Sequence, residues 1–174
     1  MRNGPTASLI ALIAAALLLP PPSSASEQNA EQLESCLHNA FNQKDRMACI
    51  GTISDPCQST PEGSKTAGLA ECFAEEASAW NVLLDRYWTD LKKQAAGVDA
   101  SNAGFGITTP KANEALLSAQ RGWLAYRDGR CNYYYARFAL GTIRNPMAAG
   151  CRMHMTAERV IDFYIDLNNK ILND

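Results

Sequence analysis

The stretch LLSAQRGWLAYRDGRC, from Leu116 to Cys131, decides the reading of the fold. Leu116, Gln120, Trp123, Arg127 and Cys131 recur at intervals of three and four, and Tyr134 and Phe138 continue the series. Residues so spaced share one face of an α-helix. Leu117, Leu124 and Tyr135 widen that face. The pattern predicts a helix from Lys111 to about Leu140, closed by Gly141. Trp123 then points into a core, and Arg127 follows one turn later. A guanidinium is costly to bury alone. Two arrangements satisfy it. One is an ion pair with Glu76, which lies on the apolar face of the preceding helix. The other lays the guanidinium over Trp123 and out to solvent.

Working outward, a long helix is predicted from an N-cap at Thr66 to about Gln94. Its stripe is Leu69, Cys72, Glu76, Trp80, Leu83, Leu84, Tyr87 and Leu91. A shorter helix begins at Glu31, with Leu33, Cys36, Leu37, Ala40 and Phe41 on one side, after a loose segment Ser26 to Ala30. It frays at Asn42 to Asp45, and a further turn carries Met47 to Ile50. Asn145-Pro146 opens a last helix, where Asn suits the N-cap and Pro the first turn. Its apolar side is Cys151, Met155, Val160, Ile161, Tyr164, Leu167 and Ile171. Gly51 to Lys65 and Ala95 to Pro110 are rich in Gly, Pro, Ser and Asn and read as irregular. There is no alternating strand pattern and no internal repeat. The expected fold is all-α: a small antiparallel helical bundle stapled by disulfides, with two long irregular loops.

The N-terminus predicts export. An apolar run from Ala7 to Leu19 follows Arg2, and Pro20 to Pro22 and the small residues Ser23-Ser24-Ala25 follow the run. This reads as a signal peptide over residues 1–25, leaving one domain over 26–174. The run is short for a membrane span, and no second one occurs, so the expected location is the periplasm or the medium. In an oxidising compartment the six cysteines Cys36, Cys49, Cys57, Cys72, Cys131 and Cys151 read as three disulfides. Many pairings are formally open. Pairing sequence neighbours would close three loops of modest size, each worth about 3 kcal/mol in the chain-entropy model. Zinc would need clustered ligands, and His38 and His154 stand apart.

Other chemistries find little support. The net charge is −2, and losing Arg2 makes it one unit more negative. That balance argues against nucleic acid. The glycines between 97 and 106 lack the strand, the helix and the Lys of a phosphate loop. A Cys–His nucleophile would need a free thiol. Glu75, Glu76 and Asp128 could be named as glycosidase carboxylates, but nothing singles out an acid and a base. The chain is therefore read as a non-enzyme, with no cofactor and no metal.

Two segments together, LLSAQRGWLAYRDGRC and NPMAAGCRMHMTAER, carry a recognisable pattern: Gln120, Trp123, Tyr126, Arg127, Asp128, Cys131, Cys151, Thr156 and Arg159. Upstream, Cys72, Glu76 and Trp80 fit a C-x3-E-x3-W pattern. The chain resembles the LprI-type lysozyme inhibitor family from about Cys36 to Leu167. It departs from it at Asp85 and Trp88, where relatives often have Asn and Tyr. The resemblance implies an exported helical domain that binds lysozyme, with the motif residues serving packing. The alternative is a general envelope interaction module, of unknown ligand, that leaves lysozyme untouched. Loops on a stapled scaffold often carry binding, and Phe105 is the candidate anchor for a partner. The sequence leaves the oligomeric state open.

Overall fold

The computed structural model describes residues 24–168. Six helices follow in order: α1 (Ala25–Asn39), α2 (Gln43–Met47), α3 (Ser54–Gln58), α4 (Thr66–Gly104), α5 (Ala112–Arg137) and α6 (Arg144–Asn168). No strand occurs among the described residues. The fold is all-α, a helical bundle with three disulfides.

Helix α4 is the axis, and α1, α3, α5 and α6 all pack against it. Its stripe is buried from Cys72 through Trp80, Leu83 and Leu84 to Leu91. Ala30, Leu33 and Leu37 of α1 close one side, and Val160, Ile161 and Phe163 of α6 close another. Each large apolar side chain so buried contributes about 1.5–3 kcal/mol. Between α5 and α6, Gln120 meets Arg159, Arg127 meets Thr156, and Cys131 meets Cys151. Rising numbers on one helix meet falling numbers on the other, so the two run antiparallel.

The sulfur bridges are Cys36–Cys49, Cys57–Cys72 and Cys131–Cys151. The first ties α1 to the turn after α2, the second ties α3 to α4, and the third ties α5 to α6. Polar contacts reinforce α1 on α4. Arg86 forms ion pairs with Glu27 and Glu34, and the Tyr87 hydroxyl donates to Glu34 at 2.9 Å.

Several boundaries differ from expectation. Helix α1 starts at Ala25 rather than Glu31, because the Ser24 hydroxyl accepts the Glu27 N–H and Ala30 is buried in the core. The segment 51–65 holds the short helix α3 and a series of turns. The second irregular stretch is shorter than expected, because α4 runs on through Gly104. Gly97 and Gly104 face open space, so they cost only helix propensity. Asp99 repays the extension: its carboxylate accepts the backbone N–H groups of Ala112 and Asn113 and so caps α5. Thr66 and Asn145 are inside their helices rather than caps. Helix α5 ends at Arg137, before Gly141, and turns fill 138–143. The expected leader, as far as residue 23, and Ile171 lie outside the described residues.

Candidate functional site

The side chains of the sequence pattern gather into two internal clasps. The first is built on Glu76, which is fully buried on α4. One carboxylate oxygen accepts the Gly51 N–H at 2.8 Å and the Trp80 indole N–H at 2.9 Å. The other accepts the N–H groups of Ile53 at 3.1 Å and Ser54 at 2.7 Å. Backbone amides that converge in this way form an anion nest at the entrance to α3. A carboxylate is tolerated in the core only when satisfied like this. Gly51 makes the approach possible. Its φ is +102°, and a Cβ there would meet the Asp55 carboxylate at 2.6 Å. Cys57–Cys72 closes the same loop covalently.

This geometry rules out one of the two arrangements open to Arg127, the ion pair with Glu76. The carboxylate is spent on backbone donors, and Arg127 turns to other partners. Its Nε donates to Asp128 at 3.0 Å and its Nη1 lies 3.4 Å from the Thr156 hydroxyl. The guanidinium stands 4.9 Å from the Trp123 ring centre, over the ring as in the second arrangement but with its side chain only 17 % exposed.

The second clasp grows from that contact. Arg159 of α6 lies 5.8 Å from the same Trp123 ring and 4.5 Å from Phe163. Its Nε donates to the buried Gln120 at 3.1 Å. Phe163 stacks on Trp88 at 6.0 Å, and Lys92 lies over Trp88. Cations and rings thus follow one another from α5 across α6 to α4. Each such contact contributes about 0.5–2 kcal/mol. Burial lowers the Arg159 guanidinium below its ordinary value, against the opposing pull of Asp162 and Asp166. Burial likewise raises the Asp162 carboxyl. The aromatic at position 88 therefore serves packing.

Two expected site residues stand outside the clasps. Tyr126 is exposed and meets Arg130, whose Nη1 lies 3.4 Å from its hydroxyl. Phe105 follows the end of α4 and is 82 % exposed. Pattern reading missed a groove of 570 Å³ lined by Phe73, Tyr126, Arg130, Tyr134, His154 and Glu158, beside the Cys131–Cys151 bridge. Tyr126, Arg130 and Tyr134 stand at helical spacing, which was available as a signal. No group of His, Cys, Asp and Glu that could hold a metal ion occurs among the described residues. No described helix is long and apolar enough to cross a membrane.

Comparison with known proteins bears on the same segment. An uncharacterised 17.7 kDa protein in the puhA 5′ region of Rhodobacter capsulatus is 22 % identical over 131 residues, covering 75 % of this chain and 81 % of that protein. An uncharacterised protein of Rhizobium meliloti (strain 1021) is 33 % identical over 70 residues, or 40 % of this chain and 45 % of its own length. No solved structure matches. The family model described as lysozyme inhibitor LprI matches residues 57–163, which contain Glu76 and Trp80 of the first clasp, all of the second clasp and two of the three disulfides. With more than half its length matched, from Cys57 to Phe163 of the aromatic series, the chain belongs to the LprI lysozyme inhibitor family.

Proposed function

We propose that this chain is an exported, non-catalytic binding protein that engages a lysozyme in the periplasm or the medium. Membership of the lysozyme inhibitor family carries the reading. The geometry supports it in one respect. Glu76, Gln120, Arg127, Thr156 and Arg159 are occupied in holding helices together. Contact with a partner then falls to side chains outside the clasps. Phe105 and Ile107, exposed at the end of α4, offer an apolar anchor on a rigid stem. Glu71, Glu75 and Asp85, exposed on one side of α4, suit the encounter with a basic enzyme.

The test is the clearing of a cell-wall suspension by lysozyme, with the disulfide-bonded protein in excess. Clearing slows with the wild type, and Phe105→Ala weakens the inhibition at least about fivefold, the loss expected for a modest anchor residue. Unchanged clearing with the wild type removes the lysozyme reading. A general envelope module that spares lysozyme is the second reading. It is favoured by one observation, the arginine-rich character of α5 and the start of α6, which suits an acidic ligand.

A further inference from the structure

Charge is segregated along this chain. From Arg121 to Arg152 the ionised residues are Arg121, Arg127, Arg130, Arg137, Arg144 and Arg152, opposed by Asp128 alone. The whole chain is nevertheless net negative, at −2. The basic segment is the α5–α6 hairpin, and its apex is apolar. Leu140 is 107 % exposed, and Ile143 and Tyr135 are exposed beside it. Guanidiniums flank them: Arg144 lies 5.1 Å from the Tyr135 ring centre and Arg137 lies 5.7 Å from that of Phe138. The apex is also held firmly. Cys131–Cys151 bridges the two helices below it, and Arg144 donates to the Ala139 carbonyl at 3.4 Å. Glu71 is the acid that lines the adjoining depression on the α4 side.

We propose that this apex docks on a membrane surface containing anionic phospholipid. Leu140 and Ile143 enter the interfacial layer, while Arg137 and Arg144 meet lipid phosphates. Two features select this occupant. Apolar side chains at the extreme end of a rigid hairpin match a layer that is apolar a few ångströms below its surface. The surrounding arginines match a negative surface potential, which attracts each basic residue near it. A charged polymer would use the arginines but would have no use for a fully exposed Leu140. Docking adds to lysozyme binding and does not depend on it: Phe105 stands at the far end of α4 from the apex.

The experiment is co-sedimentation of the disulfide-bonded protein with vesicles, with no lysozyme present. The protein sediments with phosphatidylcholine vesicles containing about 30 % phosphatidylglycerol and remains in solution with phosphatidylcholine alone. Leu140→Asp, at a fully exposed site, lowers the partition at least about tenfold, and Arg137→Glu lowers it about fivefold or more. Leu140→Trp, on the same vesicles, gives a blue-shifted tryptophan emission. No partition into the anionic vesicles overturns the proposal, and so does equal partition into both. Loss on Arg137→Glu with none on Leu140→Asp also overturns it, because charge alone is then being read, as by an anionic polymer.

Discussion

Along α4 the inward positions from Cys72 to Leu91 are buried, whereas along α5 the buried residues are Gln120 and Cys131, although both helices carry an apolar series at the same spacing. The difference lies in their neighbours. Helix α4 has α1, α3, α5 and α6 around it, while α5 rests on α4 and α6 and its outer side is exposed among the described residues. A charged residue on the inward series meets a different solution on each helix. On α4, Glu76 is sealed in and must be satisfied by four N–H donors. On α5, Arg127 lies over Trp123 with its side chain 17 % exposed and one neighbour, Asp128, largely in water. Periodicity reports the direction of a face. The depth of that face depends on how many elements come to cover it.

The contrast can be broken most forcefully at Glu76. Glu76→Gln puts an amide N–H₂ against converging N–H donors and removes the charge they solvate. We expect a loss of about 3 kcal/mol, a fall in Tm of about 10 °C, read by thermal unfolding with the disulfides intact. A Tm within about 2 °C of wild type would mean that the nest does not hold the loop. Arg127→Ala tests the other side. It removes a largely buried cation–ring contact and a long hydrogen bond, at about 1 kcal/mol. If it costs as much as Glu76→Gln, the two helices do not differ as described.

The smallest effect sharpens the picture of α4. Burial, and then the hydrogen bond to Glu34, hold the Tyr87 hydroxyl well above its ordinary 10.0. Above that pH the unfolded chain gives up this proton while the folded chain keeps it. Stability must therefore decline as pH rises beyond 10. Tyr87→Phe removes this contribution, so its Tm falls less steeply between pH 9 and 11, roughly the range where free tyrosine ionises. At neutral pH the variant loses about 1 kcal/mol with the hydrogen bond. Parallel alkaline slopes would show that Tyr87 is not buried as described.

Much of the fold was legible because helix periodicity is local. The stripes of α4, α5 and α6 are written in intervals that need no knowledge of partners. Two things were hidden for physical reasons. Gly97 and Gly104 look like breakers, and their cost is outweighed by a capping contact from Asp99 that exists only once α5 has folded back. The partners of Glu76 are backbone amides, which every residue but proline has, so no side-chain pattern announces them. An ion pair with Arg127 was therefore one of the two arrangements that the side chains alone suggested. The basic hairpin was legible but lost in the average. The net charge of the whole chain conceals six arginines gathered in one segment.

The six cysteines pair off in chain order, Cys36–Cys49, then Cys57–Cys72, then Cys131–Cys151. A polypeptide threaded N-terminus first into an oxidising space would meet the right thiol each time as the first one to arrive. An oxidase acting in order of emergence would make native bridges throughout, and the protein would mature without a disulfide isomerase to reshuffle them.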